Sequence, residues 1–202
     1  MRNPHFILAS RSPRRQQLLT DAGYQFRVIP ASDAAEDTIR ESEQPGDYVL
    51  RLAFQKAEDV VKRLDADAGR DAVVIACDTL VVAGNQILGK PKDKQDAARI
   101  LKQLRGTVHE VLSGLCVWNV ADQVYLTESD KTVMMMDPIT DEQLESYLET
   151  GQWAGKAGAF GYQDGYDWLH IVQGSESNVV GLPMELLTRL IEQIIVHNHR
   201  FA

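Results

Sequence analysis

Apolar and polar positions recur along this chain with two periods, and the switches between them mark its elements. His5 to Ala9 form a short apolar run that predicts a strand. Ser12 is a strong helix N-cap and Pro13 fits the first helical position. Leu18, Leu19 and Ala22 follow at helical spacing, and Gly23 supplies a stop. Phe26 to Ile29 predict a second strand, and the acidic, turn-rich residues 33–47 predict a loop. Pro45 opens a long helix to about Leu64, with Ala53, Ala57, Val60 and Leu64 on one face. Asp65 to Arg70 break that helix. Ala72 to Ala83 read as a strand of β-branched and apolar residues, interrupted only by Asp78 and Thr79. Gly89-Lys90-Pro91 predicts a turn, Asp96 to Leu104 a helix, and residues 108–120 with 123–136 a hairpin turning around Asp122. Asp141 to Glu149 predict a helix stopped at Gly151, followed by a glycine-rich loop at 151–165. Trp168 to Val172 predict a strand, Gly174 to Gly181 a polar loop, and Pro183 the start of an amphipathic helix ending near Val196.

Strands joined by both crossovers and hairpins predict an α/β (mixed α+β) sheet protein, a single domain over residues 1–202. With 44% hydrophobic and 25% charged residues the composition is that of a soluble globular protein. No apolar run approaches the length of a bilayer span, and Phe6 to Ala9 is too short for a signal peptide, so no membrane partner is expected. Cys77 and Cys116 are far apart, without metal-ligand spacing, which makes a reduced, cytoplasmic protein the expectation. The net charge of −8 argues against binding a nucleic-acid polymer. The charge is uneven, however. Residues 1–20 hold Arg2, Arg11, Arg14 and Arg15 and no acid, whereas the remainder holds 17 basic against 29 acidic residues. A local basic site on an acidic protein suits a small anionic ligand.

That basic site breaks a rule of helix electrostatics. Arg14 and Arg15 fall in the first turn, beside the positive end of the helix dipole, where cations are unfavourable. Ser10, Ser12 and Arg11 lie in the loop before them. Free N–H groups, hydroxyls and clustered arginines describe a phosphate site; a solvated, capped helix with surface arginines is the plain alternative. Asp78, set among Val74, Ile75, Ala76, Cys77 and Leu80, risks a large desolvation cost. It must be paired, metal-bound or exposed at a strand end. A catalytic carboxylate is the favoured reading over a backbone cap. Lys56 flanks the apolar stripe of the long helix, either reaching toward a ligand or snorkelling past it. Lys90 in its turn suits a phosphate, though any exposed turn tolerates lysine. In the run Gly155 to Gln163 glycines allow close backbone approach, and Gln163 can read a nucleobase edge. A flexible surface loop is the alternative, and the spacing is not that of a P-loop. The loop Ser175 to Pro183 holds a ligand or caps the last helix. His109, His170, and the tail residues His197 and His199 carry no metal-site pattern, Met134 to Met136 read as packing, and no G-x-S-x-G occurs.

Together Leu8-Ala-Ser-Arg-Ser-Pro-Arg-Arg15, Ala76-Cys-Asp-Thr79, Gly89-Lys-Pro91, Lys156-Ala-Gly158 and Asn178-Val-Val-Gly-Leu-Pro183 resemble, in this order, the Maf family of nucleoside triphosphate pyrophosphatases. The resemblance runs from Ile7 to about Ile194. It implies an elongated central mixed sheet flanked by helices, forming two lobes around a nucleotide-binding cleft. It also implies hydrolysis of a nucleoside triphosphate to the monophosphate and pyrophosphate, with a divalent metal, magnesium or manganese. Asp78 matches the general base that activates water for attack at the α-phosphorus. Arg15, Lys56 and Lys90 match cations around the triphosphate, Ser10 and Ser12 the loop hydroxyls, and Glu36 an acidic partner of metal or water. Such chemistry is mostly positioning and charge neutralisation. Arg14, Thr79 and Gln163 stand at the positions tied to substrate choice and resemble the subfamily acting on dTTP and UTP. Gly155 and Asp164 depart from the family's usual residues near the base. The alternatives are a pyrophosphatase for modified nucleotides such as 7-methyl-GTP, or a nucleotide-binding regulator of septum formation. Asp78 and Lys90 favour an enzyme over a pure binder, and homodimers are common in the family.

Overall fold

The computed structural model describes residues 5–36, 38–69 and 71–197. Arg2, Asp37, Arg70 and His199 lie outside the described residues. The strands are β1 (His5–Leu8), β2 (Phe26–Val28), β3 (Ala72–Ala83), β4 (Gln86–Leu88), β5 (Val108–Asn119), β6 (Val124–Met136) and β7 (Leu169–Gln173). The helices are α1 (Pro13–Asp21), α2 (Pro45–Arg63), α3 (Ala66–Gly69), α4 (Lys94–Leu104), α5 (Asp141–Glu149), α6 (Glu176–Val180) and α7 (Met184–His197). The strands form one mixed seven-stranded sheet in the order β2-β1-β3-β5-β6-β7, with β4 paired to β3. The predicted α/β class is therefore what the chain adopts. It divides into two compact units, Met1–Asp78 with Ser113–Asp130 and Gly181–Ala202, and Thr79–Leu112 with Lys131–Val180.

In the first unit β1 pairs in parallel with both β2 and β3, placing Leu8 opposite Val28 and Ile75. The apolar run Ala72–Cys77 of β3 is continuous because both faces are covered. Val73, Ile75 and Cys77 pack with Leu8, Leu19, Leu115 and the α7 residues Leu187 and Leu190. The alternate residues Ala72, Val74 and Ala76 pack with Ala53, Ala57 and Val60 of α2. Each fully buried Leu, Ile or Val contributes roughly 1.5–3 kcal/mol. The α2 helix lies close against the sheet: a Cβ at Gly114 on β5 would run into the backbone of Val49. Glycine on the strand and alanines on the helix permit that approach.

In the second unit β3 turns through Gly84 and Asn85 into β4, which pairs antiparallel with Val81 opposite Leu88. Gly84 has φ +57°, as such a tight turn requires. Strand β7 runs antiparallel to β6, and Met134 and Met136 are fully buried with Leu101, Leu104, Tyr147 and Trp168. The packing reading of these methionines holds. Helix α5 begins with a reciprocal Thr140–Gln143 capping box and ends before Gly151, at its predicted limits.

Three local readings need correction. The break at 65–70 contains the single-turn helix α3, the polar loop 174–181 contains α6, and β4 was not anticipated. Helices of one turn are too short to show a period, and a three-residue strand too short to show alternation.

His109 is 1% exposed, edge-on to Phe160 with ring centroids 5.4 Å apart, and neither ring nitrogen has a hydrogen-bond partner. Burial pushes its pKa down to about 4, against a smaller opposing pull from the Thr107 backbone. A histidine held neutral in the fold contributes stability above its unfolded pKa of about 6.5 and loses it as pH falls toward the folded value. We expect about 3 kcal/mol to disappear between pH 6.5 and 4. Urea unfolding across that range should show a flattened pH profile in His109→Phe; parallel profiles would assign the acid sensitivity elsewhere.

Candidate active site

In the first unit the chain leaves β1 through a loop that serves α1. Ala9 N–H continues the parallel ladder by donating to Ile75 O at 2.8 Å. Ser10 Oγ then accepts from Ser12 N–H at 3.2 Å, and Ser12 caps the helix by accepting from Arg15 N–H at 3.4 Å. Pro13 stands at the helix start, as its fixed φ favours. The guanidinium of Arg15 turns away from the helix and donates from Nε to Gly181 O at 2.7 Å. Its NH1 donates to Cys77 O at 2.7 Å and to Ser10 Oγ at 3.2 Å. Backbone carbonyls thus face the cation that the helix dipole disfavours. Arg14 is half-buried, and Arg11 pairs at the surface with Asp33 at 2.9 Å. Such an exposed pair is worth little.

The second cluster centres on Lys56. The close approach of α2 carries this side chain inward, leaving it 10% exposed. Its Nζ lies 2.5 Å from Asp78 Oδ1 and 3.2 Å from Glu36 Oε1. Asp78 and Thr79 are half-buried where the fully buried run of β3 stops. Of the three ways to offset the cost of burying Asp78, the fold uses an opposite charge. Cys77, whose carbonyl receives Arg15, directly precedes Asp78, so the serine–arginine loop and the carboxylate share one stretch of backbone.

The loop bearing Glu36 is fastened to α2 by residues that pattern reading passed over. Asp59 accepts from Ser32 N–H at 2.9 Å and from Ser32 Oγ–H at 2.8 Å. Arg63 donates to Asp59 at 2.8 Å and to Pro30 O at 2.6 Å. Burial pushes the Asp59 carboxyl up, but these donors outweigh it and hold it below the usual carboxylate range. Further along, Arg51 grips both Glu43 oxygens at 2.7 Å and donates to Thr38 O at 3.0 Å. That guanidinium draws the Glu43 carboxyl down to about 2. The i, i+4 spacing of Asp59 and Arg63 was a readable signal; the loop partners were not.

Thr79, Lys90 and Gln163 belong to the second unit. Thr79 is half-buried, and Lys90 is exposed after β4. Gly89 O accepts from Gly158 N–H at 3.1 Å, joining the Lys90 turn to the glycine loop. Gln163 is exposed on the short 3-10 turn Tyr162–Asp164. Lys156 and Asp164 form an ion pair beneath it. Asn178 is fully buried and donates from Nδ2 to Val111 O at 3.1 Å and Thr132 Oγ1 at 3.0 Å, so its loop is built into the core. Among the described residues no group of three or more His, Cys, Asp or Glu is arranged to hold a metal ion. No helix among them is long and apolar enough to cross a membrane.

The family model for Maf-like proteins matches residues 5–194. A dTTP/UTP pyrophosphatase of Rhodopirellula baltica is 48% identical over 94% of this chain and 82% of its own length. A dTTP/UTP pyrophosphatase of Alkaliphilus metalliredigens is 41% identical over 96% of both. The structure of a HAM1 protein from Coxiella burnetii is similar at a TM-score of 0.48 and 13% identity, over 94% of this chain and 100% of that one.

Removing Lys56 should leave Asp78 half-buried without its cation. Breaking a fully buried pair costs roughly 3–5 kcal/mol, and the water that Asp78 retains reduces this to about 2 kcal/mol. Urea unfolding of Lys56→Met at pH 7 should show that loss. Lys56→Met/Asp78→Leu, which leaves no unpaired charge, should recover most of it. A double variant as unstable as Lys56→Met would mean that lost packing, not the unpaired carboxylate, sets the cost.

Proposed function

The chain belongs to the Maf-like protein family, and on that premise we propose that it hydrolyses dTTP and UTP to the monophosphate and pyrophosphate. The observation that carries this reading is the Asp78 carboxylate held at 2.5 Å by Lys56 on a rigid strand. A general base must be aimed before the substrate arrives, and the Lys56 ammonium on one carboxylate oxygen fixes the direction of the other. In the proposed step Asp78 takes a proton from water as the water oxygen bonds to the α-phosphorus. The bond from that phosphorus to the oxygen bridging to the β-phosphorus breaks, and pyrophosphate leaves with its electron pair.

Ser10 and Ser12 supply hydroxyls at the start of α1, where the positive end of the helix dipole also favours anions. On the strength of the resemblance, Arg15 and Lys56 are taken for the triphosphate and Arg14 for substrate choice. On the same ground Lys90 is also taken for the triphosphate and Thr79 with Gln163 for the base. The donor set also fits the divalent metal that the resemblance implies. Glu36 and Asp78 bring hard carboxylate oxygens to the same Lys56 ammonium, and magnesium is commonly held by one or two carboxylates together with substrate phosphates. Bound there, the ion would neutralise phosphate charge.

Pyrophosphate release from dTTP, UTP, dCTP, GTP and 7-methyl-GTP, with magnesium or manganese added, tests the reading. dTTP and UTP should turn over fastest. Asp78→Asn should lower turnover by about 10²–10⁴ while a non-hydrolysable dTTP analogue still binds. Gln163→Glu should shift the preference between dTTP and GTP. Absence of pyrophosphate from every nucleotide would overturn the assignment.

A further inference from the structure

We infer that the Lys156–Asp164 ion pair positions Gln163 and so governs how sharply the enzyme tells one base from another. The inference rests on the proposed pyrophosphatase activity with Gln163 at the base. Both partners are largely withdrawn from water, with side chains 11% and 12% exposed. Several other lysine pairs lie nearer the surface, such as Lys94 with Glu145 and Lys131 with Glu110. A buried pair gains little over apolar residues of equal size, because desolvation consumes the attraction. Its distinctive property is direction: it holds two points of the backbone in one register.

Those two points bracket the turn that carries Gln163. Asp164 N–H donates to Gly161 O at 3.1 Å and Gly165 N–H to Tyr162 O at 3.3 Å, closing the turn on either side of Gln163. Gly161 passes directly over the pair. A Cβ there would lie 2.5 Å from Lys156 Nζ and 2.6 Å from Asp164 Oδ2, so any side chain at this position would displace the paired atoms. The loop on the Lys156 side is fixed as well. Gly158 and Ala159 adopt φ +69° and +60°, and the buried Tyr147 hydroxyl donates to Ala159 O at 3.1 Å. Ala159 pays for this left-handed backbone, so the arrangement is imposed by its surroundings. Gln163 is exposed, and the direction of its amide therefore depends on the turn beneath it. Asp164 supplies the anion of the pair at the end of this turn. Lys156 and Asp164 are positioning residues, acting through Gln163.

The test compares kcat/KM for dTTP with that for GTP in wild type, Asp164→Asn, Lys156→Met and the double variant Lys156→Met/Asp164→Leu, with urea midpoints alongside. The dTTP-to-GTP ratio should fall at least tenfold in all three, through KM more than kcat. The double variant leaves no unpaired charge and should keep a midpoint near wild type while its ratio stays low. A double variant with preserved stability and a ratio within twofold of wild type overturns the inference. So does an equal loss on both nucleotides that follows the urea midpoint. If wild type releases no pyrophosphate, or Gln163→Glu leaves the ratio untouched, the underlying reading fails and the inference falls with it.

Discussion

The contact between the Lys56 ammonium and the Asp78 carboxylate is the interaction on which the first unit's chemistry turns. Strand β3 is covered on both faces, and a carboxylate in such a strand is tolerable only with a partner. The partner has to come from the helix over that face, and α2 can deliver it because Ala53, Ala57 and Gly114 let it lie close. A larger side chain at Gly114 would push against the Val49 backbone and shift the element that carries Lys56. The small residues and the charged pair thus form one arrangement. The same ammonium reaches Glu36, whose loop Asp59 and Arg63 fasten to α2.

The arginine at the start of α1 acquires a physical explanation from this frame. Its position beside a positive helix end is unfavourable only if the charge stays there. Arg15 instead places its guanidinium against the carbonyls of Cys77 and Gly181. One of those carbonyls belongs to the residue before Asp78, so the loop hydroxyls and the carboxylate are held in a fixed relation.

Much of this was legible locally. Ser12, Pro13 and Gly23 bound α1 because caps and stops act within one turn. The β3 strand was legible because burial from Ala72 to Cys77 leaves an unbroken apolar signal up to Asp78. The cost of burying Asp78 could be read from its neighbours, but not the identity of its partner, which lies 22 residues earlier on a helix. A lysine flanking an apolar stripe has the same spacing whether it snorkels into solvent or pairs beneath the surface. The partners of Arg15 are backbone carbonyls 62 and 166 residues away, and no side-chain pattern encodes a carbonyl. The Lys156–Asp164 pair was hidden for a related reason, since its geometry depends on left-handed backbone at Gly158 and Ala159. The Gly84-Asn85 turn, just past the Ala72–Ala83 run, was a readable hairpin signal for β4.

The central claim is that Asp78 directs water to the α-phosphorus of a nucleoside triphosphate. The most direct measurement is hydrolysis of dTTP in water enriched in heavy oxygen, followed by mass spectrometry of both products. The account predicts the label in the thymidine monophosphate and none in the pyrophosphate. Label in pyrophosphate, or release of orthophosphate with the nucleoside diphosphate, would contradict it.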